Sequence, residues 1–594
     1  VCSIIACAGY CNVVPLLADS LQLMEYRGYD SVGIAILTDG GIVVRKGVGN
    51  VDTVRREKNV DELIGSMGIG HTRWATHGVV NEINAHPHTS CDSSIVVVHN
   101  GIIDNYLELK TMLISKGHIF KSDTDSEVIV HALEDLLRSS DIKCAMLELI
   151  KLLRGSYAFV ALLADGMIVG ARSNEPLIIG VDYNGRVPYF IASDVLAFIR
   201  HTEKALFLSN EEFFILHMSK KSRKRKGVYT LSIYDSNGKR VKRGLTEIAW
   251  EFSSVDKGKY AHYTHKEIHE QMHTVAKAFN VEVSYEFIRT IMNARRIIVT
   301  GSGSSYHAAL YAKYMLSRTG LSIDAIVASD VKYSSIGSSD VLLAVSQSGE
   351  TADTLSAVKY ARSKGCPILG VVNVTTSSLA RSSDMYVGID AGIERGVAAT
   401  KSFTSQLVLL YRLACMISGK DHRYNVSTLI NGISSILANE YHTSRVADIL
   451  KDVNDAYIIG KDIGYVIALE GALKLKEIAY MHAEAIHAGE FKHGPLALID
   501  KNSIVIALNA RDYTYEDTMN GIREVKARGA YIIGVSDCSS EYYDHYLAIP
   551  SHDMDIANIL YECIQLQLLA YHTAVKKNFN PDYPRNIAKS ITVS

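Results

Sequence analysis

At 594 residues the chain is longer than one hydrophobic core sustains, so a single-domain protein is excluded. Hydrophobic residues at 47% and charged residues at 21% exclude a disordered or collagen-like chain, and 62 Lys+Arg against 64 Asp+Glu leave a net charge of −2, so no overall field draws nucleic acid or a membrane surface. Nine scattered cysteines fit a reducing cytoplasm better than a disulfide framework, and neither a secretory signal nor an apolar run of about 18 residues is legible, so a cytoplasmic protein without a membrane span is expected.

Residues 1–245 hold many short β-rich runs, GIAIL, GIVVRKG, SIVVVHNG, SYAFVALLADG and PLIIGVD among them, bounded by turn formers. Helices are expected near Val13–Tyr26, Tyr106–Lys116 and Ser126–Leu137, where apolar residues recur at three and four. The stretch 246–259 is polar and aperiodic and reads as a linker. Beyond it, short apolar runs alternate with amphipathic stretches, the pattern of parallel α/β units. This second part contains a weak repeat: RRIIVTGSGSSYHAAL resembles DAYIIGKDIGYVIALEG, and DVLLAVSQSGETADTLSAVKYARSKGCPILGVVN resembles NSIVIALNARDYTYEDTMNGIREVKARGAYIIGVSD. Two tandem copies, 260–425 and 426–594, are expected, with Gly/Ser-rich turns kept only in the first and different tasks for each.

Cys2 stands at the start of a short apolar run. A terminal cysteine can use its own α-amine, with a reference pKa near 8, as the base that activates its thiol. The bland reading is that Cys2, Cys7 and Cys11 are small buried apolar residues; their spacing is poor for zinc. The neighbours change the balance: EYRGYDSVGIA at 25–35, GHTRWATHG at 70–78, NAHPH at 84–88, HNGIIDN at 99–105 and SDTDSEVI at 122–129 follow in that order. Together they resemble the glutaminase domain of the N-terminal-nucleophile amidotransferases. The resemblance implies an αββα fold with Cys2 as nucleophile and Asn100 with Gly101 as oxyanion hole. It also implies a glutamine site of Arg73, Trp74, Thr76, His77 and Asp125, with Trp74 as a mobile gate. The chemistry agrees, since Arg73 offers a planar fork for an α-carboxylate, Asp125 a partner for an α-ammonium, and Asn100 and Gly101 N–H groups for an oxyanion. Two departures stand out. Ser3 replaces a glycine, and Val1 precedes Cys2; Val1 is expected to be a GUG start read literally, with methionine there in the cell and processing freeing the Cys2 amine.

In the second part, Gly301-Ser302-Gly303-Ser304-Ser305 joins an apolar run to a helical stretch, and Ser346-Gln347-Ser348-Gly349-Glu350-Thr351 does the same one strand later. Backbone N–H groups and hydroxyls at two such junctions can converge on one phosphate. Singly, Ser346, Ser348 and Thr351 read as N-caps. Neither a Walker lysine nor a complete GxGxxG is present, which disfavours nucleotides. These turns resemble the sugar isomerase (SIS) domain. ERGVAATKSFTSQ at 394–406, ALEGALKLKEIAYMHAEAIHAGEFKHGPLALID at 468–500 and the closing PRNIAKSITVS extend the resemblance to nearly the whole chain and to the glutamine:fructose-6-phosphate aminotransferase (isomerising) family. That resemblance implies two SIS domains after the glutaminase domain and synthesis of glucosamine 6-phosphate from glutamine and fructose 6-phosphate, the first step toward UDP-N-acetylglucosamine. Glu477 is the implied proton-transfer base, His493 the ring-opening histidine, Lys589 the imine-forming lysine, and Lys474 a catalytic neighbour. Gly303, Ser304, Ser305, Ser346, Gln347, Ser348, Thr351, Ala399 and Glu470 are the implied sugar-phosphate contacts; His307 is left without a role. The family further implies an apolar ammonia tunnel, a homodimer through the SIS domains in which His493 can serve the neighbour, and no cofactor.

Two other readings compete. A purine-pathway amidotransferase would need a phosphoribosyl-pyrophosphate loop, which is not found; an inactive phosphosugar sensor would have little use for Cys2, Glu477 and Lys589 together. The basic run 220–226 reads as an exposed loop between two strands rather than a nucleic-acid patch. His262, His265 and His269 read as unaccompanied by an acidic partner set, HYTHKEIHEQ resembles a helix start in the family, and no metal is expected.

Overall fold

The computed structural model describes residues 2–74, 78–219, 228–248, 256–420, 426–552 and 554–589. The chain divides into two compact units, 1–253 with 590–594, and 254–589.

The first unit is a four-layer αββα sandwich. Its eight-stranded antiparallel sheet runs, edge to edge, Thr246–Glu247, Lys204–Phe207, Ile178–Val181, Tyr189–Ala192, Ser3–Ala8, Met67–Arg73, Ser31–Thr38 and Gly41–Val48. The facing seven-stranded sheet contains Ile95–Ile103 next to Gly155–Leu163. Period-two alternation sorts the Ile95–Ile103 strand: Val96 and Val98 pack between the sheets with Ile4, Ala6, Ala8 and Ile69, while Ile95 and Val97 pack beneath the helices Glu127–Leu137 and Ile142–Leu152. Helix Val14–Met24 covers the other outer face, ending two residues short of the sequence reading in a 3₁₀ turn, Glu25–Arg27.

The second unit carries two five-stranded, all-parallel sheets. The first runs Ile323–Val327, Arg296–Gly301, Asp340–Ser346, Ile368–Val372, Met385–Gly388; the second runs His482–His487, Asp455–Gly460, Ile504–Leu508, Tyr531–Ser536, His545–Ala548. Both have spatial order 2-1-3-4-5, the same doubly wound α/β unit used twice, and one continuous apolar core joins them through helices Lys401–Ile417, Ile463–Ala479 and Asp555–Lys576. Among the described residues no helix is long and apolar enough to cross a membrane.

Candidate active sites

Cys2 directly precedes the Ser3–Ala8 strand, in the parity of Ile4, Ala6 and Ala8, so its side chain is turned toward the inter-sheet core. Ser3 pairs in register with Thr72, which brings Cys2 beside the end of Met67–Arg73. The Trp74 backbone N–H donates to Cys2 Sγ at 3.1 Å. Asn100 shares the parity of Val96 and Val98, and its Nδ2 donates to the Cys2 carbonyl at 3.0 Å. Alternation on two facing strands thus places the thiol and the amide at one end of the sandwich. The Ser3 departure is accommodated, since its buried hydroxyl donates to the Met24 carbonyl at 3.0 Å.

The orientation of Asn100 is set from behind. His71 Nε2 lies 2.9 Å from the His99 carbonyl oxygen and 3.1 Å from Asn100 Oδ1. Burial holds the His71 imidazole down, to about 3, so it is neutral at physiological pH. A carbonyl only accepts, so Nε2 carries the proton; Asn100 Oδ1 faces it and Nδ2 faces Cys2. His86 stacks on His71 with ring centroids 4.1 Å apart, and its Nδ1 accepts the His99 N–H at 3.1 Å. Gly101 follows with φ +108°, and a Cβ there would lie 1.9 Å from the Ser156 carbonyl oxygen on the paired strand. Asp125 is anchored to the same strand by accepting the Ile103 N–H at 2.8 Å. Arg73, 3% exposed, donates to the Gly78 carbonyl at 3.3 Å, and burial lowers its pKa against the opposing charges of Cys2, Asp30 and Asp125. Burial also pushes the Cys2 thiol up, with the Trp74 N–H and Arg73 pulling the other way. Trp74 stands edge-on to Tyr29 at 5.6 Å. Thr76 and His77 lie outside the described residues.

In the second unit, strands Arg296–Gly301 and Asp340–Ser346 are the neighbours between which the 2-1-3-4-5 order reverses, so their carboxyl ends flank the crevice where such sheets hold ligands. Gly303, with φ +57°, precedes helix Ser304–Ser317. At the other turn Ser346 Oγ accepts the Gly349 N–H at 3.0 Å and Ser348 Oγ the Glu350 N–H at 3.2 Å, while Gln347 offers its carbonyl to the Asn373 N–H at 3.3 Å. Thr351 occupies the N-cap position of helix Ala352–Ser363, yet its side chain makes no capping hydrogen bond. Ser305 Oγ accepts from Gln406 Nε2 at 3.2 Å, and Ala399 packs half-buried against the core.

Glu470, Lys474 and Glu477 form one row on helix Ile463–Ala479, and the row is not a surface ladder: Glu470 and Lys474 are each 1% exposed. Lys474 Nζ lies 3.2 Å from Glu470 Oε1 and 2.6 Å from Glu477 Oε2, and donates to Ser304 Oγ at 3.2 Å. Ser304 Oγ in turn donates to Glu470 Oε1 at 2.8 Å. Burial pulls the Lys474 pKa down, but Glu470 and Glu477 outweigh it and the ammonium is held charged. His307, to which the sequence assigned nothing, has Nδ1 2.7 Å from Glu470 Oε2. The Gly/Ser turn of the first copy is thereby bound to the helix that carries Glu477 in the second. Glu477 also borders a cleft of about 300 Å³ with Tyr480, Arg585, Asn586 and Ile587, and the Arg585 N–H donates to the Tyr480 hydroxyl at 2.7 Å. Lys589 is almost buried, its Nζ 2.5 Å from Glu394 Oε2. Glu394 accepts further from the Thr400 and Ser402 N–H groups at 3.0 Å each. Burial would raise the Glu394 pKa; Lys589 and Ser402 hold it at about 2. Neighbouring Glu267 is pushed up to about 8 by burial. His493 lies exposed on the short turn Phe491–His493, apart from these groups.

The SIS domain pattern matches residues 290–416 and 449–577, and the glutamine amidotransferase domain pattern matches 71–207. The chain is 43% identical to the glutamine–fructose-6-phosphate aminotransferase [isomerizing] of Pyrococcus horikoshii and 40% identical to that of Methanothermobacter thermautotrophicus, with 100% of both chains covered in each case. The chain belongs to the glutamine–fructose-6-phosphate aminotransferase (isomerizing) family. Membership accounts for an αββα unit followed by two SIS copies. A solved structure of the C-terminal domain of the Francisella tularensis glucosamine-fructose-6-phosphate aminotransferase superposes on 55% of this chain and 99% of its own, with 31% identity and a TM-score of 0.50.

One sequence inference is corrected by the fold. His265 and His269 do have an acidic partner: Glu440 Oε2 lies 2.8 Å from His265 Nε2, 3.1 Å from His269 Nε2 and 3.7 Å from His572 Nε2. Glu440 opens a helix some 170 residues later, beyond the reach of any local pattern. His262 Nδ1 instead lies 3.0 Å from the Tyr571 hydroxyl. The basic run 220–226 falls outside the described residues, though the strands on either side of it, Glu212–Met218 and Tyr229–Tyr234, pair antiparallel.

Proposed function

We propose that the chain makes glucosamine 6-phosphate from glutamine and fructose 6-phosphate. The observation that carries this reading is the pairing, on one chain, of a thiol flanked by an oriented Asn100 amide with a Glu470–Lys474–Glu477 row whose first two members are buried, tied to a Gly/Ser turn. In the first half-reaction Cys2 Sγ attacks the glutamine amide carbon, with a free Cys2 α-amine as base. Asn100 Nδ2 and the Gly101 N–H stabilise the oxyanion, Arg73 and Asp125 hold the α-carboxylate and α-ammonium, ammonia leaves, and water cleaves the thioester to glutamate. Trp74, Thr76 and His77 complete the glutamine pocket.

In the second half-reaction the turns Gly303–Ser305 and Ser346–Thr351, with Ala399, hold the sugar phosphate. His493 opens the ring, and Lys589 forms an imine at C2 that ammonia displaces. Glu477 then takes the C1 proton; the resulting enolamine is reprotonated at C2 and closes to the aldose. Lys589 must leave Glu394 to act as a nucleophile, so sugar binding has to loosen that ion pair. Lys474 holds the Glu477 carboxylate in place through their ion pair, and Glu470 orients both Lys474 and the Ser304 turn. Ammonia has to reach the sugar unprotonated, so its transfer is shielded from bulk water. The cytoplasm suits this chemistry, and a second copy pairing through the SIS domains would give the exposed His493 a site to serve.

Cys2→Ala tests the division of labour. Glutamine-dependent glucosamine 6-phosphate formation is lost while interconversion of fructose 6-phosphate and glucose 6-phosphate persists; loss of both would overturn the assignment of separate sites.

A further inference from the structure

Away from both sites, four side chains of the first unit converge where no sequence motif announces them. Cys91 follows the short strand His88–Thr89, His118 follows helix Tyr106–Ser115, and His131 and Glu134 stand three apart on helix Glu127–Leu137. Their candidate donor atoms all lie within 4.8 Å of one another. Cys91 Sγ is 3.7 Å from His118 Nδ1 and 3.6 Å from His131 Nδ1; Glu134 Oε2 is 2.9 Å and 3.4 Å from the same two nitrogens. A tetrahedral zinc ion with bonds of about 2.3 Å to sulfur and about 2.0–2.1 Å to nitrogen and oxygen sets S···N edges near 3.6 Å and N···O edges near 3.3 Å. Three of these four distances agree with those edges to within about 0.1 Å, and the fourth, at 2.9 Å, is the shorter one.

The outward faces of the two imidazoles suit metal-binding rings. His131 Nε2 lies 3.4 Å from Glu127 Oε1, and His118 Nε2 lies 3.6 Å from Asp135 Oδ1. Neutral rings protonated at Nδ1 toward Glu134 would aim bare Nε2 lone pairs at carboxylates. With a cation on Nδ1, each Nε2 carries the proton and faces its carboxylate favourably, the arrangement that orients metal-binding histidines. The other donors are supported too: the Ile119 N–H donates to Cys91 Sγ at 3.4 Å, and the Cys91 and Asp92 N–H groups donate to the two Glu134 oxygens at 3.2 and 3.3 Å. A surface cleft of about 820 Å³, walled by Cys91, Asp92 and Glu134, provides the way in.

We propose that Cys91 Sγ, His118 Nδ1, His131 Nδ1 and Glu134 Oε2 bind a zinc ion. The thiol gives its proton to solvent on binding, and one thiolate, one carboxylate and two neutral imidazoles then balance the 2+ charge. The mixed S, N and O donors select a borderline ion over magnesium or calcium, and four protein ligands leave no open coordination position, so the site is structural. The ion clamps the segment after His88–Thr89 and the stretch between helices Tyr106–Ser115 and Glu127–Leu137 to one helix face. That stretch carries Thr124, whose Oγ1 is 3.0 Å from His88 Nε2, and Asp125. Any consequence for glutamine affinity rests on the proposed role of Asp125; binding of the ion does not.

The test is metal analysis of the full-length chain purified from zinc-supplemented cells, followed by stripping with a strong chelator and refilling with cobalt. The expected result is one zinc per chain after desalting, a thiolate-to-cobalt charge-transfer band on refilling, and a thermal midpoint several degrees lower in the stripped protein. Cys91→Ser should abolish the band, and His131→Gln should weaken zinc retention at least tenfold. Zinc at background in the purified chain with no cobalt band on refilling overturns the proposal, as does an unchanged band in Cys91→Ser. These readouts need no enzyme activity, so failure here is distinguishable from failure of the proposed reaction.

Discussion

Gly101→Ala probes the thiol site through backbone geometry alone. The new methyl would lie 1.9 Å from the Ser156 carbonyl oxygen, 2.8 Å from the Ser156 carbonyl carbon and 2.9 Å from Tyr157 Cα, all main-chain atoms of the paired strand. Cβ contacts under 3.0 Å are essentially never seen, so the strands must part by at least 3.0 − 1.9 = 1.1 Å at this pair, and φ +108° is itself unfavourable for alanine. The same pair carries the Gly101 N–H and, one residue earlier, the Asn100 amide. Misplacing a catalytic group by about 1 Å can cost about 10²-fold in rate, and losing one oxyanion donor costs a similar factor or more. We therefore expect kcat/KM for glutamine hydrolysis to fall about 10²-fold, with a stability loss of about 1–3 kcal/mol from strain and a disturbed ladder. Glutamate release measured with and without fructose 6-phosphate, beside a denaturant melt and the phosphosugar isomerisation rate, checks this. A folded variant hydrolysing glutamine within threefold of the parent rate would refute the assignment of this strand to oxyanion stabilisation.

Two further expectations concern the second unit. Gly349 has φ +65° and its added Cβ would lie 2.1 Å from Ser377 Oγ, so Gly349→Ala should displace the Ser346–Thr351 turn and raise KM for fructose 6-phosphate about tenfold, equivalent to about 1.4 kcal/mol. Glutamine hydrolysis without sugar should stay unchanged, and a variant with unaltered sugar KM would contradict the phosphate role. Glu394 has its pKa depressed from 4.5 to about 2, so its contribution to stability is present above about pH 5 and fades as pH falls toward 2. The difference in unfolding free energy between the parent and Glu394→Gln should therefore shrink on acidification, by on the order of 3 kcal/mol. A difference that grows or stays flat between pH 6 and pH 3 in chemical denaturation would show that the Glu394–Lys589 contact does not carry that charge.

What the sequence made legible follows from the range over which each signal acts. Strand and turn signals are local, so the SIVVVHNG run could be read as β-rich and the Gly/Ser turns could be placed at strand ends before any coordinates. The partners that orient those residues are not local. His71 faces Asn100 across two sheets, Glu394 meets Lys589 across 195 positions, and Cys91, His118, His131 and Glu134 meet only once their helix and loops are packed. Burial is equally hidden. The Glu470–Lys474–Glu477 spacing is the same on a solvated helix face and in a core, and only the fold separates a weak surface ladder from a row whose charges are obligatorily paired.

The repeat shows how a duplicated fold can keep a shape and change its use. Gly303 precedes its helix with φ 57° and ψ −129°, and Asp462, at the same point of the second copy, has φ 54° and ψ −119°. Glycine takes that conformation freely and leaves open space where its Cβ would be, so a ligand can approach the backbone. Aspartate holds it only under strain of about 1–3 kcal/mol, and here an ion pair offsets part of that, with Arg318 2.7 Å from Asp462 Oδ2. A carboxylate at the mouth of this turn repels phosphate. On the proposed reading the second copy offers no anion site of its own, and the helix after its first strand, Ile463–Ala479, is through Glu470 and Lys474 the wall against which the first copy's turn is held.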